Sequence, residues 1–329
     1  TQYCCIGLCN PPQMLSRELI FNAYVMDGGF HQWEGSTTSR REQYNLLGAI
    51  PPLRDFGFKK VIVVVYPGTF KDELTASDYF DDIQNLNVNV IPGILMNQVF
   101  YSVPNWDEPL LPAPFYDLNH TKNPTGLLQQ EFWNKLEEIM TIAGNSVSSR
   151  TVYLDTEFVY LYHYNSVFWT DSNLAIIRQK LETLSNNLKN KNIRIITYHP
   201  DYSTSYPNLV NILTKLYSNS NNIQAYGFTQ HAVAVPYFDP TKTSWIDPTW
   251  SEVVNNYANI GITDKSIEPN FYKLSQGFIY YYNSGFGWKP ADWRAYMINH
   301  PEFKSAWFFT GVESINTASN EFGQLQPLT

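Results

Sequence analysis

The sequence predicts an α/β fold, a single (β/α)8 barrel of the TIM type with a long loop after its third strand. Three observations predict it. Eight short apolar stretches recur along the chain, helical patterns separate most of them, and no glycine-rich nucleotide motif follows the first. Apolar runs, as opposed to alternation, mark strands buried on both faces, the condition of a parallel sheet. Eight such units close into a barrel. An open doubly wound sheet is the other solution, but Gly-x-Gly-x-x-Gly and Gly-x-x-x-x-Gly-Lys are both missing from the sequence.

Taken in order, Leu19 to Met26 is an apolar strand stopped by Asp27-Gly28-Gly29, and Ser36 to Leu47 reads as a helix with a Ser/Thr cap. Lys60 to Tyr66 is a buried strand ended by Pro67-Gly68; Ala76 to Leu86 is a short amphipathic helix, and Val88 to Leu95 the third strand. The stretch Asn97 to Pro124, rich in Pro and aromatics, exceeds an ordinary connection and reads as a functional loop or lid. Gly126 to Ala143 is a helix with Leu128, Phe132, Leu136 and Ile139 on one face, and Thr151 to Leu154 is the fourth strand, ending in Asp155-Thr156-Glu157. Asp171 to Lys189 repeats Leu174, Ile177, Leu181, Leu184 and Leu188 at helical spacing. The remaining strands are expected at Ile193–Tyr198, Ile223–Phe228, Phe278–Tyr282 and Ala306–Phe309. Helices are expected between them at Pro207–Ser218, Thr249–Ala258 and Pro290–Ile298.

Composition narrows the function. The chain has 329 residues, 43% hydrophobic and 16% charged, enough apolar content for a large core without metals or disulfides. Thirty acidic against 22 basic side chains give a net charge of −8, and Lys and Arg nowhere cluster, which argues against a nucleic-acid partner. No apolar run approaches the length of a membrane span. The chain is rich in aromatics, with 9 Trp, 23 Tyr and 20 Phe. Tyr and Trp combine a flat apolar face with a polar edge, which suits sugar rings, although a barrel core accounts for about half of such a number.

The sequence divides into a Cys-containing amino-terminal segment, residues 1–18, and a barrel domain, residues 19–329. The chain begins at Thr1, as expected of one whose leader has been removed or of a stretch of a longer precursor. Cys4, Cys5 and Cys9 are its only cysteines. Three permit at most one local disulfide and leave a thiol for another chain, a lipid or nothing, so disulfide-linked or other self-assembly through Cys4, Cys5 or Cys9 is one of the options open; a secreted or cell-surface location is expected.

In such a barrel the residues past each strand's carboxyl end ring the active-site mouth. They are Asp27, Tyr66, Met96 to Gln98, Asp155 and Glu157, Tyr198 with His199, Tyr226 to His231 (Gln230 among them), Tyr282 with Asn283, and Glu313. Carboxylates, amides and aromatics are what a hexose needs for hydroxyl hydrogen bonds and stacking. Tyr153-Leu154-Asp155-Thr156-Glu157 is the densest signal, because strand residues two apart point the same way. Two neighbouring carboxylates cannot both ionise cheaply, so one can serve as a general acid while the other stays charged. The plain alternative is a cap or a buried ion pair.

A barrel with Asp-x-Glu closing its fourth strand resembles the chitinase and endo-N-acetylglucosaminidase superfamily, whose motif reads Asp-x-x-Asp-x-Asp-x-Glu. The resemblance implies that Glu157 protonates the glycosidic oxygen and that Asp155 positions the substrate's N-acetyl group as internal nucleophile. Arg150 and Tyr153 stand where the family has its two earlier Asp residues. The resemblance further implies that Tyr226 steadies the intermediate and that Trp307 or Phe309 lies beneath the sugar. A second resemblance, to the Asp-x-Glu muramidases, gives Asp27 the place of a first-strand Asp. The retaining clan with Asn-Glu on strand four fits less well, since Thr156 replaces the Asn and no carboxylate follows the expected seventh strand.

Other chemistries have little support. His163, His199 and His231 lack metal spacing, no Gly-x-Ser-x-Gly elbow occurs, and no cofactor is implied. Trp106, Phe115, Trp245, Trp250 and Trp288 are candidate stacking platforms. The expectation is a glycosidase-like protein that acts on or binds an N-acetylated glycan, with Glu157 as acid, Asp155 assisting and Tyr226 third. Asp27, Tyr66, Gln98, Tyr198, Gln230, Tyr282, Asn283, Trp307 and Glu313 are expected around the substrate. The competing reading is an inactive glycan-binding or structural subunit on the same barrel.

Overall fold

The computed structural model describes residues 18–24, 45–65, 67–99, 125–156, 167–199, 207–218, 228–234, 254–261, 267–274, 290–299, 305–311 and 315–328. In the first half of the chain the elements are β1 (Glu18–Tyr24), α1 (Leu46–Phe56), β2 (Phe58–Val64), α2 (Glu73–Gln84), β3 (Asn89–Leu95), α3 (Gln130–Asn145) and β4 (Thr151–Asp155). The second half holds α4 (Asp171–Asn190), β5 (Arg194–His199), α5 (Pro207–Tyr217), β6 (Phe228–Ala234), β7 (Ile267–Leu274), α6 (Pro290–Asn299), β8 (Ser305–Gly311) and α7 (Ile315–Gly323). A further helical stretch covers 254–259. Each strand pairs in parallel with its sequence neighbours and β8 returns to β1, so eight strands form a closed barrel, as the sequence predicts.

The pleat divides the core into two layers. Along β2 and the residue after it, Val61, Val63 and Val65 lie in the outer layer beneath the helices, whereas Ile62 and Val64 belong to the barrel interior. Ile20, Ile91, Ile196, Tyr153 and Trp307 fill the same interior. Both layers exclude water, which is why these strands read as unbroken apolar runs. At the amino-terminal end of the barrel, Lys60 of β2 pairs with Glu18 of β1.

Aromatics also seal the outside of the barrel where it closes. Phe322 of α7 lies 4.7 Å from Phe308 of β8 and 4.8 Å from Phe56 of α1, ring centroid to ring centroid. Trp293 of α6 stacks on Phe58 at 5.7 Å. These fully buried rings use a good part of the aromatic surplus for packing.

Two strands fall elsewhere than expected, and the helix Leu46–Phe56 lies beyond the one expected over Ser36–Leu47. β6 occupies Phe228–Ala234 and not Ile223–Phe228, and β7 occupies Ile267–Leu274 and not Phe278–Tyr282. Both carry polar residues, Gln230 and His231 in one and Glu268, Asn270 and Lys273 in the other, so neither is an apolar run. The first helix described is Leu46–Phe56, which contains Pro51 and Pro52, a pair that reads in sequence as a stop. Leu46, Ala49, Ile50, Leu53 and Phe56 bury one face of it, and tertiary packing outweighs the two lost amide donors. The expected helix over Ser36–Leu47 lies mostly outside the described residues, as do Cys4, Cys5, Cys9 and most of the Asn97–Pro124 loop with Trp106 and Phe115.

Candidate active site at the end of strand four

β4 supplies the site. All five of its residues are buried, and the pleat sends Leu154 to the outer layer while Tyr153 faces the interior. Asp155, two residues past Tyr153, shares its face. The Tyr153 hydroxyl donates to Asp155 Oδ2 at 3.1 Å. Asp155 is only 5% exposed, and a carboxylate so enclosed requires donors around it. In register, Asp155 lies opposite Leu95 of β3 and Tyr198 of β5. On the outer side, Thr197 Oγ1 donates to the Leu154 carbonyl at 2.8 Å and fastens β5 to β4 at this level.

The Tyr153 ring is held on two sides. Gly93 of β3 is its register partner, and a Cβ at that position would lie 3.1 Å from Tyr153 Cδ1 and 2.6 Å from Val64 Cγ2. Only a residue without a side chain leaves this space. Trp307 of β8 meets the same ring edge-to-face, with centroids 5.7 Å apart.

Of the expected site residues, the structure brings Asp155, Tyr198 and Trp307 into one interior. Trp307 is fully enclosed at 0% exposure, so its ring is part of the barrel core in this state and offers no open face for stacking. Gln98 lies in the 3-10 turn Met96–Val99 directly after β3. Gln230 lies within β6, opposite Ile196, and not past the strand's end as expected. Tyr226 precedes β6, and Tyr282 and Asn283 follow β7 at a distance in sequence, so the strand positions that assigned these three to the mouth do not hold. Tyr226, Tyr282 and Asn283 themselves lie outside the described residues, together with Asp27, Tyr66, Glu157 and Glu313. The candidate platforms Trp245, Trp250 and Trp288 lie outside them too.

Two interior residues escaped the sequence reading. Asn22 of β1 is 1% exposed, and neither end of its carboxamide has a hydrogen-bond partner among the described residues. Its one signal is a polar side chain two residues after Ile20 in a strand that is apolar around it from Leu19 to Ala23. Gly93 looks like any strand glycine until Tyr153 is placed beside it. Arg150 stands where the resembled motif has its first Asp, and it works on the backbone: it donates to the carbonyls of Lys191 at 2.6 Å and Asn192 at 3.2 Å, tying the turn after α4 to the start of β4.

No protein-family model matches the chain. No curated protein matches its sequence. Solved structures do match. The C-terminal domain of a provisionally named chitinase from Desulfitobacterium hafniense DCB-2 is 11% identical, with a TM-score of 0.56 over 95% of this chain and 98% of that one. A GH18 chitinase, ChiB of Flavobacterium johnsoniae, is 8% identical with a TM-score of 0.47, over 93% and 94% of the two chains. A GH18 chitinase from Pseudoalteromonas aurantia is 10% identical with a TM-score of 0.43, over 92% and 99%. The first match establishes the fold: the chain shares a (β/α)8 barrel with that domain along nearly its whole length.

Proposed function

We propose that the protein is a glycosidase-like barrel acting on N-acetylated glycans, with Glu157 as general acid and Asp155 assisting. The observation that carries the reading is Asp155: a buried carboxylate facing the barrel interior at the carboxyl end of β4, with a phenolic donor on one oxygen. Barrel chemistry is built at that end of the strands. Glu157 follows two residues later in the sequence, the spacing of an acid and its partner in the resembled motif. In this reading the Asp155 carboxylate holds the acetamido nitrogen and offsets positive charge developing at the sugar. Glu157 hands its proton to the leaving oxygen. The chitinase-type fold supports the substrate class, and a secreted or surface location suits it.

The test is turnover of chitin oligosaccharides, peptidoglycan and N-glycans by the wild-type chain, with glycan binding followed in parallel. Cleavage of one of them is expected. Binding without cleavage on every substrate favours the glycan-binding reading, which the replacement of both earlier motif acids by Arg150 and Tyr153 also feeds.

A further inference from the structure

We propose that Tyr153 is the positioning residue of this site, a fixed donor that orients Asp155 through its hydroxyl; the inference rests on the reading of Asp155 given above. Three observations carry it. The hydroxyl reaches Asp155 Oδ2 at 3.1 Å. The ring is 2% exposed and is braced by the edge-to-face contact with Trp307. The inner face of β3 is emptied of side chain at Gly93, where any Cβ would crowd the Tyr153 ring and the Val64 backbone. A ring held this way keeps its hydroxyl oxygen at one place beside Asp155.

The chemistry of the donor matters. A phenol keeps its proton to about pH 10, so toward a carboxylate it acts as a donor throughout the ordinary pH range. A carboxylic acid in the same place donates only while protonated, and once ionised it repels its neighbour. Tyr153 occupies the position that carries an acid in the resembled motif. There it supplies a hydrogen bond that does not depend on the donor's own ionisation. Asp155 is thereby held in one orientation by a donor that does not itself ionise.

The experiment is a double-mutant cycle on chitin oligosaccharides with Tyr153→Phe, Asp155→Asn and the double variant, reading kcat, KM and the thermal midpoint for each. Tyr153→Phe keeps the ring contacts and removes only the hydroxyl. It is expected to lower kcat about 10- to 100-fold, the worth of a hydrogen bond to a charged group, with KM and thermal midpoint little changed. The double variant is expected to match Asp155→Asn alone, because the hydroxyl acts through that carboxylate. Wild-type rates in Tyr153→Phe, or losses that multiply in the double variant, overturn the positioning role and leave the proposed function standing. A wild-type chain that turns over no glycan overturns both.

Discussion

Gly93 and Tyr153 lie side by side across the β3–β4 register, and a methyl group on Gly93 would sit 3.1 Å from Tyr153 Cδ1 and only 2.6 Å from Val64 Cγ2. The same methyl would sit 3.0 Å from the Val64 Cα, so rotation of the tyrosine cannot relieve the crowding alone. Gly93→Ala is therefore expected to destabilise the barrel by about 1–3 kcal/mol, the usual cost of overpacking. Chemical denaturation measures it, and near-ultraviolet circular dichroism should change because Tyr153 and Trp307 move together. An unaltered midpoint and spectrum would mean that the barrel interior has slack at this level.

A second expectation concerns Asn22. Its carboxamide is buried with no partner among the described residues, and such a group costs about 1–3 kcal/mol of desolvation. Asn22→Leu, of similar size, should leave the thermal midpoint unchanged or raise it, whereas Asn22→Asp should lower it sharply by burying an unpaired charge. A lower midpoint for the leucine variant would reveal hydrogen bonding that sustains the native barrel.

A third lies far from the site, at the start of α2. Asp72 caps this helix by accepting from the Thr75 amide at 2.7 Å, and that backbone hydrogen bond, first among its causes, holds the carboxyl below the usual carboxylate range. A depressed carboxyl stabilises the fold fully above its unfolded value, about pH 4, and the contribution is lost as pH falls through the folded value. Asp72→Asn caps equally well but cannot titrate. It should match the wild type at neutral pH and lose less stability on acidification, while Asp72→Ala should be less stable at neutral pH. Thermal midpoints across an acid series separate the three.

The barrel was legible where its strands are uniformly apolar. Val61 to Val65 announces β2 because one set of residues fills the outer layer and the other the interior. β6 and β7 were misplaced because Gln230, His231, Glu268, Asn270 and Lys273 interrupt the pattern that an apolar-run criterion requires, so the adjacent apolar stretches drew the assignment. Those two errors carried Tyr226, Tyr282 and Asn283 to positions the strands do not support. Asp155 was legible because motif and strand end coincide there. The bond from Tyr153 was not, since it depends on the room left by Gly93 and the brace of Trp307, and only the closed register brings those strands together.

The measurement closest to the central claim is the turnover of chitin oligosaccharides by Glu157→Gln beside the wild type. The amide keeps the size of the side chain and its hydrogen-bonding reach but has no proton to give the leaving oxygen. General acid assistance contributes about 10²–10⁴-fold, so kcat should fall by that much while oligosaccharide binding persists. Cleavage by Glu157→Gln at the wild-type rate would contradict the account.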